Sequence, residues 1–173
     1  MTKPQSNSLQ KINTTKNILL ADDDIDDCSF FREALEELQR PTSLTTVNDG
    51  EQLMTLLNAS LQLPDVVFLD INMPRKNGFE CLLEIMSNDK LKALPVIIFT
   101  TTFEQEAADR LYRYGAQYFI CKPAAFSDFK KLIQQALILI ERGTVPQPSK
   151  ERFMLTVQGG QAVYRHMEGS YTN

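Results

Sequence analysis

The sequence predicts an α/β fold in which a five-stranded parallel sheet is doubly wound, with helices on both faces. Three observations lead there. Short apolar runs alternate with segments of helical spacing five times between Asn17 and about Arg142. Strict alternation of this kind implies parallel strands, because each crossover needs a helix. The runs at 66–69 and 96–99 are apolar throughout, as strands buried on both faces are. Finally, carboxylates, a hydroxyl and an ammonium follow directly on these runs, where an open parallel sheet carries its sites.

In chain order, residues 1–16 are rich in Ser, Asn, Gln, Thr and Lys and read as a disordered leader. The domain is expected over 17–142. Its strands are the runs Ile18–Ala21, Leu44–Val47, Val66–Leu69, Val96–Phe99 and Tyr118–Cys121, all too short for helices. After the first strand, Ile25, Cys28, Phe31, Leu35 and Leu38 recur at helical spacing as one buried stripe. Leu53, Leu56 and Leu57 mark the second helix, and Phe79, Leu82, Leu83 and Met86 the third. Ala107, Leu111 and Tyr114 mark the fourth, which Gly115 stops. The fifth carries Phe126, Phe129, Ile133, Ala136, Leu137 and Ile140. Residues 143–150 hold Pro146 and Pro148 and read as an extended linker. In the tail, 151–173, two strand-like runs flank Gly159-Gly160. They suggest a hairpin, but a loosely ordered tail and a dimer contact stay open.

Composition narrows the function. With 18 Lys and Arg against 22 Asp and Glu, the net charge is −4, which argues against nucleic acid or an anionic membrane as the main partner. Cys28, Cys81 and Cys121 are widely spaced without a CxxC, and the one histidine, His166, cannot complete a zinc site with them. All three read as reduced core thiols. No apolar run reaches the roughly 18 residues of a membrane span. The polar start speaks against a signal peptide, so the expected location is cytoplasmic.

The chemistry gathers at the strand ends. The first strand runs into Asp22-Asp23-Asp24, the third into Asp70 with Asn72 beyond it, the fourth into Thr100 and the fifth into Lys122-Pro123. Clustered carboxylates repel one another, and a hard divalent cation bound through oxygen relieves this, with Mg²⁺ suiting two or three carboxylates plus water. A lysine and a threonine hydroxyl then complete a pocket for a phosphoryl group. Each piece has a structural alternative. The acidic run could cap a helix, Asp70 could cap a turn, Thr100 could be an ordinary strand residue, and Pro123 could open a helix. That account needs four coincidences at four separate strand ends.

These motifs resemble the response regulator receiver domain of two-component signalling. The likeness rests on ILLADDD, VVFLDINMPRKNG around Asp70, VIIFTT and YFICKP, and spans about residues 17–142. It implies a flavodoxin-like sheet of order 2-1-3-4-5. It also implies that Asp70 accepts a phosphoryl group from a histidine kinase. Mg²⁺ would be held directly by Asp23, through water by Asp22, and by Asp70 and the Asn72 backbone carbonyl. Asp24 would cap the helix. Thr100 would hydrogen-bond the phosphoryl group and Lys122 would pair with it, across a cis Lys122–Pro123 peptide. The aromatic switch position falls on Phe119, which lacks the hydroxyl that many members carry. Asp23, Asp24, Asp26 and Asp27 with Phe30-Phe31 resemble the stand-alone receivers paired with phytochrome-type kinases. Output would then be phosphorylation-dependent binding to another protein or to a His phosphotransfer domain, as relay intermediate or terminal switch, with a homodimer left open. A haloacid-dehalogenase-type phosphotransferase fits less well, since its second Asp would fall at Asn72. A constitutive binding module fits less well because every site residue is present.

Overall fold

The computed structural model describes residues 15–142 and 147–165. Five strand–helix units come first: β1 (Lys16–Ala21), α1 (Ile25–Glu37), β2 (Thr42–Val47), α2 (Gly50–Ala59), β3 (Val66–Leu69), α3 (Gly78–Ser87), β4 (Val96–Thr100), α4 (Gln105–Arg113), β5 (Tyr118–Cys121) and α5 (Phe126–Glu141). The strands lie parallel in the order β2-β1-β3-β4-β5. The leader expected over 1–16 falls almost wholly outside the described residues, and Lys16 already belongs to β1.

The sheet has seven strands rather than five. After a short 3-10 turn at Lys150–Arg152, β6 (Met154–Gln158) pairs parallel to β5, and β7 (Gln161–Arg165) returns antiparallel to β6. Gly159 and Gly160 both hold positive φ, 57° and 77°, as a two-residue hairpin turn of matching twist requires. The docking has a clear cause: Phe153 is fully buried, and its carbonyl accepts the Phe119 N–H at 2.9 Å. Of the expected linker, 143–146 lie outside the described residues. The remainder is tied down, with Gln147 donating to the Tyr112 and Ala116 carbonyls and the Tyr112 hydroxyl donating to the Pro148 carbonyl.

Alternation along the strands divides the core into two layers. Leu19, Val67, Ile98 and Phe119 face α2, α3 and α4. Leu20, Phe68, Phe99 and Ile120 face α1 and α5. In the second layer Phe31 meets Phe68 and Phe99 edge-on, at centroid distances of 4.8 and 5.6 Å. Such pairs contribute about 0.5–1.5 kcal/mol beyond burial alone.

Helix stripes differ from the expected ones on α1, α3 and α4, where Ala108 rather than Ala107 is buried with Leu111. On α1, Phe31, Ala34 and Leu35 are buried, but Ile25 is 77% exposed because it sits in the first turn, beyond the sheet's rim. On α3 the buried line is Gly78, Cys81, Leu82 and Ile85, and Leu83 is exposed. The helix phase is set at Gly78, whose N–H bonds the Ile71 carbonyl and where a Cβ would lie only 2.1 Å from the Asp70 carbonyl oxygen. Phe79 is thereby turned toward α4, against Tyr114 and the Arg110 guanidinium. Tyr114 itself stays exposed. The three thiols are free; Cys81 is buried, whereas Cys28 and Cys121 are half-buried.

Phe31→Ala should therefore lower stability by about 3–5 kcal/mol, as a large core truncation does. Ile25→Ala should change it by less than about 0.5 kcal/mol. Denaturant midpoints of the two variants check this, and comparable losses would place Ile25 in the core.

Candidate functional site

Backbone bonds at the carboxyl ends of the strands set the site. Asp22 N–H donates to Val47 O at 3.0 Å, Asp70 N–H to Ala21 O at 2.9 Å and Lys122 N–H to Thr100 O at 2.7 Å. The residues that end β1, β3, β4 and β5 are thus brought to one rim. Asp22, Asp23 and Asp70 each offer an oxygen, all within 4.8 Å of one another.

The three residues of the acidic run have three different environments. Asp22 is buried, with Oδ1 accepting the Asp24 N–H at 3.0 Å and Oδ2 the Lys122 ammonium at 2.6 Å. Burial pushes its pKa from 3.8 to about 6, with Lys122 pulling the other way and the Asp70 charge adding to the rise. Asp23 is exposed. Asp24 is the N-cap of α1 and accepts the N–H groups of Asp26 and Asp27 at 2.8 and 3.2 Å.

Asp70 is buried, its Oδ1 accepting the Ile71 N–H at 2.8 Å. Burial raises its pKa, against the opposing charge of Lys122. The wholly buried Thr100 hydroxyl lies close enough to that carboxylate to lower its pKa, yet closes no hydrogen bond of good geometry with any described residue. A buried hydroxyl without a partner carries a desolvation cost, which a ligand oxygen arriving beside Asp70 would relieve.

Lys122 does not reach Asp70 directly. Its ammonium is held by Asp22 and, at 2.7 Å, by Asp27, and it stands 5.5 Å from the centre of the Phe99 ring. Burial works to discharge it, but the bonds to the two carboxylates outweigh that and keep its pKa above the ordinary lysine value. The Lys122–Pro123 peptide is trans, as are all peptides among the described residues; X–Pro bonds favour trans by about 0.5–1 kcal/mol. The expected cis bond is thereby corrected.

Asn72 lies exposed in the loop after β3, its side-chain amide donating to the Thr102 hydroxyl at 3.3 Å. Phe119 stands apart from the acidic cluster, already buried and covered by Phe103 and Phe153 at centroid distances of 5.8 and 6.2 Å. The residue at the aromatic switch position thus starts from a buried setting, with β6 paired against β5. Asp27 was not among the expected site residues. Its signal was its place one turn beyond the Asp24 cap, which returns its side chain to the rim.

Three clustered carboxylates, two of them buried, suit a hard divalent cation with oxygen ligands. A family model for the response regulator receiver domain matches residues 18–134. The chain is 29% identical over 127 residues to response regulator Rcp1 of Synechocystis, covering 70% of this chain and 86% of that one. It is 27% identical over 122 residues to the probable methanogenesis regulatory protein FilR2 of Methanothrix harundinacea, covering 68% and 79%. Among solved structures, the phosphorylated cyanobacterial phytochrome response regulator RcpA superposes with a TM-score of 0.68 at 30% identity, over 79% of this chain and all of that one. The Mn²⁺-bound form of Rcp1 superposes at 0.66 and 28%, over 78% and 99%.

Two outcomes follow from this geometry. In a Mn²⁺ titration, Asp23→Asn should weaken binding about tenfold or more. Asp24→Ala should leave affinity near wild type while costing about 0.5–2 kcal/mol of stability as a lost cap; the reverse order would exchange the two roles. The second outcome concerns pH. Burial favours protonated Asp22, so the stability it contributes is full below its unfolded pKa of 3.8 and is lost as pH rises through about 6. A cation bound to the ionised cluster offsets that loss. The rise in Tm on adding the cation should be larger near about pH 7.5 than near about pH 5, and equal rises would show that Asp22 does not ionise between them.

Proposed function

The chain belongs to the response regulator receiver family of two-component signalling, and from that premise we propose that Asp70 is its phosphoacceptor. The observation that carries this is the buried Asp70 carboxylate, set beside Asp22 and Asp23 and facing the unpartnered Thr100 hydroxyl. With Oδ1 occupied by the Ile71 N–H, Oδ2 is the oxygen assigned to attack. It forms the new P–O bond as the P–N bond to the donor histidine of a kinase breaks. The electron pair stays on the ring nitrogen, so that an imidazole already protonated on its other nitrogen leaves neutral. Asp23, Asp70 and the Asn72 carbonyl would hold Mg²⁺ directly and Asp22 would hold it through water. When bound, that ion offsets charge on the phosphoryl oxygens.

Phosphorylation adds roughly one to two negative charges at Asp70. Thr100 then has an oxygen to which its buried hydroxyl can donate. Lys122, already charged between Asp22 and Asp27, lies within electrostatic range of the new anion. Movement at Thr100 passes to Phe119 across the paired strands β4 and β5. The surface that would report it is α4, β5 and α5 together with the docked hairpin, to which Phe119 is bonded through the Phe153 carbonyl. Phosphorylation-dependent binding to a downstream protein or a His phosphotransfer domain, in the cytoplasm, is the output this supports. The likeness to the phytochrome response regulator RcpA favours a phytochrome-type kinase as donor.

With a small phosphodonor and Mg²⁺, the intact protein should gain one phosphoryl group that is labile to base, as an acyl phosphate is, and Asp70→Asn should gain none. Intact-protein mass measures both, and labelling retained in the variant would remove Asp70 from its role.

A further inference from the structure

The loop from Asp70 to Asn77 carries the proposed acceptor at one end and the Asn72 carbonyl just beyond it. The loop is tied at several points. The Gly78 N–H closes it on the Ile71 carbonyl at 2.9 Å, and Lys76 pairs with Glu84 on α3. It also abuts α2, because a Cβ on Gly50 would lie 2.2 Å from the Lys76 carbonyl oxygen.

Besides the Asn72 amide bond to Thr102, a further tie is an ion pair whose two residues lie outside the acidic cluster. Asp49, wholly buried just beyond β2, caps α2 by accepting the Gln52 N–H at 2.8 Å through Oδ1. Its Oδ2 accepts from Nη2 of Arg75 in the loop after β3, and Arg75 holds a left-handed backbone with φ of 64°. A non-glycine residue keeps such a conformation when its surroundings over-determine it. In this sheet β1 lies between β2 and β3. The Arg75–Asp49 pair therefore joins the two strands that flank β1, whose end carries Asp22 and Asp23.

We propose that Arg75, acting through Asp49, is a positioning residue for the cation and the phosphoacceptor. This rests on the reading of Asp70 and Asn72 given above. The pair fixes the height of the loop after β3 over the end of β1. Asp70 and the Asn72 carbonyl then meet a cation already held by Asp22 and Asp23. Without it, the loop remains closed at Ile71 and Gly78 but is free to shift against α2. Its contribution to the ligand set then falls while the fold persists.

The test uses the full chain as wild type, Arg75→Ala, Arg75→Lys, Asp49→Asn and Asp70→Asn. Mn²⁺ affinity, Tm and the rate of phosphorylation by a small phosphodonor are measured for each. Arg75→Ala should keep a cooperative melt yet bind Mn²⁺ about tenfold more weakly, in the range of lost supporting contacts at metal sites. Its phosphorylation rate should recover toward wild type at saturating cation, the sign of a misplaced site rather than a damaged fold. Arg75→Lys should restore most of the affinity, because Asp49 takes a single donor from Arg75. Asp49→Asn should match Arg75→Ala; if it fails to fold, the Arg75 variants decide. Wild-type Mn²⁺ affinity in a folded Arg75→Ala would overturn the proposal. Phosphorylation of Asp70→Asn would instead overturn the acceptor assignment, whatever Arg75 does.

Discussion

The structure of the rim depends on one ammonium group. Lys122, almost fully buried, holds Asp22 from the end of β1 and Asp27 from the first turn of α1 at 2.6 and 2.7 Å. Without that cation, the buried Asp22 charge beside Asp70 would keep the Asp24 N–H alone against desolvation and repulsion. Removing one partner of a buried pair typically costs about 3–5 kcal/mol for this reason. The bond also spans the sheet, from β5 over β4 and β3 to β1. It draws together strands whose backbones are separated by two others, and Asp70 just after β3 and Thr100 at the end of β4 lie between. The charge that lets the acids assemble is thus also placed to register a change at Asp70.

Much of this was legible in the sequence, for identifiable reasons. Val66–Leu69 and Val96–Phe99 are apolar at every position, a pattern that suits a strand covered on both faces. Their shortness and β-branched content speak against a helix. Asp22, Asp70, Thr100 and Lys122 each follow such a run, so the rule that open sheets carry their sites at the carboxyl ends brought them together before any coordinates did. That the acidic run could cap a helix was legible from its place before the stripe of α1, and the resemblance implied that Asp24 is the cap.

What escaped depended on contacts that periodicity does not encode. The phase of α3 is set by the close approach of Gly78 to the Asp70 carbonyl, and an apolar helix such as Phe79–Met86 offers two plausible faces. The pairing of Asp49 with Arg75 joins ends of strands that neighbour β1 but not each other. The cover that Phe153 adds to Phe119 comes from more than thirty residues later in the chain, and nothing near Phe119 announces that partner. Even the hairpin, visible as two runs about Gly159-Gly160, carried no sign of which edge would receive it.

The docked hairpin also gives the fold an order in time. Each of the first five strands pairs with neighbours that precede α5, but β6, made later, pairs with the edge of β5 that faces away from β4. During synthesis β5 therefore waits with one edge bare, its N–H and C=O groups open and Phe119 without the ring of Phe153 over it. Open edges of this kind invite pairing between chains, above all in incompletely folded states. The hairpin forms from residues close in sequence, an event of about microseconds. The hairpin, made after β5, is thus also quick to form, and it replaces an adhesive apolar margin with β7, a short strand in which Gln161 and Arg165 are exposed.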